Sequence, residues 1–192
     1  PEDPADVAVV NALQRQFTVS SVAGREFAPP AYDEASFALT RGAILELAKG
    51  LGGLERCFGA KADVDPIRHL LGAAAGWGGL PESEAFYINV NPGLPVGAYE
   101  LTVGDVPVDG FWSISLYNAD GYFAPNDAGM YSVNNITGVR NPDGTITVRF
   151  GGDPSVPNTL PIMEGWNYLV RLYRPHPEVL DGTWHFPTIE AS

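Results

Sequence analysis

Between Gly110 and Tyr122 the chain reads G-F-W-S-I-S-L-Y-N-A-D-G-Y, with apolar and polar positions alternating. Trp112, Ile114 and Leu116 fall on one side, and Phe111, Ser113, Ser115 and Tyr117 on the other. A period of two marks a strand with one oily face, and Asn118 to Gly121 supplies turn residues at its end. The pattern recurs. Glu84–Asn91 sets Phe86, Ile88 and Val90 against Tyr87, Asn89 and Asn91. Thr145–Phe150 sets Ile146, Val148 and Phe150 against Thr147 and Arg149, after the turn Asn141-Pro142-Asp143-Gly144. Trp166–Arg174 sets Val170 and Leu172 against Arg171 and Tyr173. Further strands are predicted at Gly97–Val103 and Tyr131–Val133, with an edge strand at Trp184–Ile189 limited by Pro187.

The first eighty residues have a different rhythm. Val7, Val10, Leu13 and Phe17 recur at near-helical spacing, which predicts a helix over Asp3–Phe17 with Asp3 as cap and Pro4 in its first turn. Phe37, Ile44, Leu45 and Ala48 form the stripe of a second helix from Asp33 to Lys49, ended by Gly50. Asp65-Pro66 opens a third, closed by Gly76-Trp77-Gly78-Gly79 near Ala75. A helical region over 1–80 is therefore expected before a β region over 81–192, the two forming one compact unit. Many short strands joined by turns indicate a sandwich or a jelly roll. With 22 glycines and 17 prolines among 192 residues, the composition agrees with a turn-rich, mainly β chain.

Charge and cysteine content narrow the function classes. A net charge of −12 argues against nucleic-acid partners and anionic membrane surfaces. No apolar run is long enough to cross a bilayer, so no transmembrane segment is expected. Export is the favoured compartment for this acidic, lysine-poor chain. Cys57 is the sole cysteine, which rules out an internal disulfide and a multi-thiolate zinc site. From Pro81 onward there is no lysine, and only Arg140, Arg149, Arg171 and Arg174 are basic. Two of these, Arg149 and Arg171, lie inside predicted strands.

A set of motifs spread over Ala73 to Ile189 resembles a known family. They are Ala73-Ala-Ala-Gly-Trp-Gly-Gly79, Pro107-Val-Asp-Gly-Phe-Trp-Ser-Ile-Ser-Leu-Tyr117, Asp120-Gly-Tyr122, Asn126, Tyr131-Ser132, Asn141-Pro-Asp-Gly-Thr145, Arg171-Leu-Tyr-Arg-Pro175 and Leu180-Asp-Gly-Thr-Trp184. In this order they resemble the bacterial family catalogued as domain of unknown function 1214, whose members often follow a second uncharacterised domain, number 1254. Thr159 stands where the family tends to have a tryptophan. The resemblance implies a β-sandwich of jelly-roll type; the fold expected for the chain is therefore an antiparallel sandwich of this type, with the N-terminal α-helices packed against it because so few residues form no domain of their own. The resemblance implies no activity, so it assigns no catalytic residue.

Several constellations bear on chemistry. There is no G-x-S-x-G elbow, which leaves only a dyad of Ser113 or Ser115 with His185 for a serine hydrolase. Asn118, Asp120, Asn126 and Asp127 offer oxygen ligands in one loop, yet Asn and Asp before Gly serve turns. His69, His176 and His185 lack metal-ligand spacing, so neither metal nor cofactor is expected. Glu100, Asp109, Glu164 and Glu178 were considered as paired carboxylates. The most specific expectation is a polar sheet face. Tyr87, Ser113, Ser115, Tyr117, Arg149, Arg171 and Tyr173 would share it and bind a small polar ligand, a carbohydrate or a small anion, with hydrolysis at the same face as the alternative. The competing reading is a solvated outer face with structural arginines.

Overall fold

The computed structural model describes residues 6–22, 24, 28–51, 53, 55–76 and 78–191. By compactness the chain divides into Pro1–Phe37 and Ala38–Ser192. In the first unit α1 (Val7–Gln14) buries no residue. The expected cap Asp3 and first-turn Pro4 lie outside the described residues. Helix α2 (Glu34–Ala48) also buries none, and Leu39 and Leu47 stand largely exposed.

The second unit holds two four-stranded sheets. One has the order β1 (Ala85–Val90), β7 (Asn167–Tyr173), β3 (Trp112–Tyr117), β4 (Ser132–Asn134). The other has the order β6 (Thr159–Leu160), β5 (Ile146–Phe150), β2 (Tyr99–Val103), β8 (Glu190–Ala191). All pairings are antiparallel except β5 with β6. The architecture is mainly β, two antiparallel-rich sheets with a few helices. Between Ala75 and Ala85 the chain switches from helix α3 (Pro66–Ala75) to strand, inside this unit.

One buried cluster draws on both sheets. Trp112, Ile114 and Leu116 of β3 join Leu101 and Val103 of β2, Ile146, Val148 and Phe150 of β5, and Val170 and Leu172 of β7. Those of β3, β5 and β7 are the residues that the period of two assigned to the inner faces. Phe86 and Ile88 pack against the cluster while partly exposed, because β1 is an edge strand. Trp166, 1 % exposed, adds an aromatic layer with Phe150 at 5.3 Å between ring centroids. Its indole N–H donates to Leu94 O at 3.2 Å, which satisfies the one polar group it buries.

Two elements differ from expectation near the C-terminus. The edge strand predicted at Trp184–Ile189 forms only at Glu190–Ala191, which pair with Glu100 and Tyr99. Before that point Trp184 and Phe186 turn their rings inward, Phe186 meeting Trp112 edge-on at 6.1 Å. Pro187 brings no N–H to a ladder. The short β6 was not anticipated. Asn158, at φ 60°, turns the chain back so that Thr159 and Leu160 lie parallel to β5. Its amide donates to Val139 O at 2.8 Å and Thr147 O at 3.1 Å, which holds an unusual conformation that asparagine tolerates well.

Candidate functional site

The outer face of the β1-β7-β3-β4 sheet brings together six of the seven expected residues. Its register puts Tyr87, Arg171, Ser113 and Asn134 in one row across four strands. Asn89, Leu169, Ser115 and Ser132 form the next row. Tyr173 lies one row to one side, stacked on Phe111 with centroids 4.5 Å apart. Tyr117 lies to the other, stacked on Phe123 at 4.9 Å. At the middle of the floor between these aromatic ends Ser113 is 8 % exposed and Ser115 5 %, while Asn89 and Ser132 at its sides are exposed.

Arg171 is the centre of this floor. Its Nη1 donates to Ser115 Oγ at 2.8 Å and its Nη2 to Tyr117 Oη at 2.6 Å. Its guanidinium carbon lies 5.9 Å from the Tyr117 ring centroid, so contact is through the hydroxyl more than the ring face. Two hydroxyls fix the direction of the guanidinium but leave its charge unbalanced. Among the described residues no carboxylate lies in ion-pair range of it. Guanidinium carries five N–H donors, and only these two are hydrogen-bonded within the described residues. Nearby, burial pushes the Tyr87 hydroxyl above its usual pKa, with Tyr173 adding to the effect and Arg171 opposing it.

A cleft of about 340 Å³ opens over this floor. Tyr87, Asn89, Leu169 and Arg171 line it from the sheet, with Phe58 and the turn at Gly76, Gly78 and Gly79 opposite. Local chemistry explains that wall. Asp65 caps α3, accepting from Ile67 N at 2.9 Å and Arg68 N at 3.0 Å, with Pro66 in the first turn. Arg68 then ties the preceding loop to the helix, donating to Gly53 O at 3.0 Å and to Glu55 Oε2 at 2.7 Å. His69 Nδ1 meets Cys57 O at 2.7 Å, and its ring meets Phe58 edge-on at 5.8 Å. Gly72 lets Cys57 lie flat against the helix, since a Cβ there would stand 2.8 Å from Cys57 Cβ. A Cβ on Gly79 would collide with the Phe58 ring. Two absent side chains therefore place Phe58 over the sheet. Trp77, from the same motif, lies outside the described residues.

Arg149 does not share this face, which corrects the expected grouping. It belongs to β5 of the other sheet, opposite Glu100 on β2, and its Nε lies 3.7 Å from Glu100 Oε2. The period of two put it on an outer face correctly, but the two sheets turn their outer faces in opposite directions. The other candidates have local roles. Asn118 Oδ1 accepts from Asp120 N and Tyr122 N, and Asn126 Oδ1 from Met130 N, which is turn chemistry. Cys57 is fully buried, and burial raises its thiol pKa, a setting unsuited to a nucleophile.

Some functional-looking residues escaped sequence reasoning. Phe58 and Leu169 read as ordinary apolar positions. In the sequence the Gly76–Gly79 turn reads as a helix stop and as part of the family motif, although its density of glycine is also a sign of close backbone approach. Asp109 and His176 stand 67 positions apart, and the isolated bridge between Val108 and Pro175, with the bonds from Asp109 N to Arg174 O and from His176 N to Pro107 O, brings them together. His176 Nε2 lies 3.0 Å from Asp109 Oδ1, and this hydrogen bond is the main cause of the lowered Asp109 pKa.

Comparison with known proteins agrees with this architecture. Protein VPA0106 of Vibrio parahaemolyticus, known from its crystal structure, superposes with a TM-score of 0.64 at 21% identity, over 85% of this chain. The chain spans 47% of that protein's length. An uncharacterised protein of Burkholderia cenocepacia aligns at 12% identity over 81% of this chain and 48% of its own, with a TM-score of 0.32. No curated protein matches the chain. The first of these likenesses shows the fold, at an identity too low to carry a function. Residues 93–177, which supply β3, β5 and β7 with Arg171, Ser115 and Tyr117, match the family described as "Protein of unknown function (DUF1214)".

Proposed function

We propose that the cleft over the β1-β7-β3-β4 sheet binds a small organic anion, a carboxylate on a compact apolar or sugar-like body. One observation carries the reading: Arg171 is half-buried at the centre of a sheet, oriented by Ser115 and Tyr117, with no acid beside it among the described residues. Removing a cation from water is costly unless an opposite charge compensates it. In a chain with 23 acids and 11 bases, an uncompensated cation is a notable exception. A guanidinium held by two hydroxyls offers its remaining N–H groups as a fork, the geometry that matches a carboxylate.

The rest of the lining suits one negative charge and little more. Phe58 and Leu169 are apolar, the glycines offer backbone, and Tyr87 and Asn89 are the neutral polar groups. A volume near 340 Å³ holds a small molecule. The hydrolase alternative has less support, because His69, His176 and His185 do not line the cleft. For the fold, consecutive strands that alternate between sheets (β1, β2, β3) favour a sandwich of jelly-roll type.

Calorimetric titration with glucuronate, phenylacetate and glucose tests the reading. At least one acid is expected to bind and glucose is not. Arg171→Met should remove acid binding. Asn89→Trp, at an exposed position on the lining, should also weaken it while leaving Arg171 in place. Equal affinity of wild type and Arg171→Met for an acid would overturn the proposal, as would failure of both acids to bind.

A further inference from the structure

Among the described residues β1 is the outermost strand of its sheet, with β7 on one edge and no strand on the other. The direction of its backbone groups follows from one hydrogen bond. Arg174 N donates to Glu84 O at 2.9 Å, so residues 84 and 174 form a bonded pair. In an antiparallel ladder such pairs recur at every second residue. Phe86, Ile88 and Val90 therefore aim their N–H and C=O groups at β7, and Tyr87 and Asn89 aim theirs away. Ala85 obeys the same alternation: its N–H turns outward to Pro81 O at 3.0 Å. Among the described residues nothing pairs with the outward groups of Tyr87 and Asn89.

A second cavity, about 440 Å³, lies along that edge. Five consecutive residues, Ala85 to Asn89, line it. Successive side chains of a strand point to opposite faces, so a cavity that touches all five must run beside the edge. Its far wall carries Leu51, Leu71 and Leu80. Glu55 and Glu82 also line it, and among the described residues no lysine or arginine does. Arg68 already balances Glu55 at 2.7 Å, which leaves Glu82 as the charge without an ion-pair partner among the described residues, its Oε2 accepting there only from Arg56 N at 3.3 Å.

We propose that this edge receives an extended segment of a partner polypeptide, added as a further strand beside β1. Backbone groups spaced for a ladder call for another backbone, as in strand addition at open sheet edges. An apolar wall selects apolar side chains at alternate positions. Glu82 and the net charge of −12 select lysine or arginine between them. A second copy of this chain fits less well, since it would bring the same excess of acids to the contact. The proposal is independent of the anion cleft, although Phe58, Ala75, Tyr87 and Asn89 border both cavities.

The test is fluorescence anisotropy with a labelled, C-terminally amidated octapeptide of alternating lysine and valine. Asn89→Pro deletes an outward N–H while sparing the bonds between β1 and β7, and Asn89→Ala controls for the side chain. Wild type and Asn89→Ala should bind alike, and Asn89→Pro, folded by circular dichroism, about tenfold more weakly. Glu82→Gln should weaken binding about two- to fivefold at low salt. The proposal is overturned if wild type does not bind the peptide, or if Asn89→Pro binds as well as Asn89→Ala. It is equally overturned if a glutamate–valine peptide binds as tightly, or if sedimentation shows a dimer that Asn89→Pro dissolves.

Discussion

Arg149 and Arg171 look alike in the sequence and differ in the fold. Each sits near the end of a strand, flanked by inward-facing apolar residues. Arg149 finds Glu100 directly across the ladder, and both side chains are more than a third exposed or close to it, at 34% and 41%. Its charge is matched locally, and water does much of the rest. Arg171 finds Tyr87 on one side and Ser113 on the other, donates to Ser115 and Tyr117, and lies under a wall formed by Phe58 and the Gly76–Gly79 turn. The comparison teaches that a strand arginine is informative through its neighbours across the ladder. A neutral row leaves a charge for something else to balance.

That contrast can be broken or sharpened by substitution. The largest effect should come from the core on which both outer faces depend. Ile114→Ala is expected to cost about 2–5 kcal/mol in urea denaturation, because Ile114 is fully buried. It should weaken both faces without distinguishing them. Ser115→Ala comes next, at about 1–3 kcal/mol, since it removes the acceptor for a half-buried guanidinium. It should also loosen carboxylate binding. The matching change on the other sheet, Glu100→Gln, should cost under about 1 kcal/mol, as an exposed pair does, and leave carboxylate binding untouched. A Glu100→Gln effect as large as that of Ser115→Ala would erase the distinction between the two faces.

Two pH experiments probe smaller differences. Burial pushes the Tyr168 hydroxyl up to about 12. A raised folded-state pKa gives stability that is complete below the unfolded value, near 10, and lost as pH climbs toward 12. Tyr168→Phe should therefore resist alkaline unfolding between those values better than wild type, as followed by tryptophan fluorescence. The Asp109 pKa is lowered, chiefly by the hydrogen bond with His176. Its contribution is present above the ordinary carboxylate range and is lost as pH falls through the lowered value. Asp109→Asn should flatten the acid limb of the stability curve slightly. An unchanged acid limb would show that the exposed Asp109–His176 contact adds nothing.

Much of the core was legible before any fold was known. Trp112, Ile114, Leu116, Ile146, Val148, Phe150, Val170 and Leu172 are all buried, as the alternation requires. Alternation works because a strand has two sides, and one of them must leave water. The same reasoning located β1, β2, β3, β5 and β7 to within a residue or two. It failed at Trp184–Ile189, where aromatic residues suggested a strand but pack inward as single rings. It also missed β6, whose two residues are too few to show any period.

The candidate site was legible only in part. Six of its residues were recognisable as outer-face positions because each lies one step from a core residue on its own strand. Which outer face each one joins was beyond local pattern. Residues 115 and 171 are hydrogen-bonded across 56 positions of chain, and Tyr87 and Arg171 are paired across a separation greater still. By itself the amino-acid sequence determined the inward and outward sides of the strands, since the backbone forces successive side chains apart. Strand pairing and sheet assignment decided that Arg171 stands among hydroxyls under a glycine-rich wall, and that Arg149 stands beside an acid on the other sheet. Those choices depend on contacts distant in the chain, and a period of two carries no information about them.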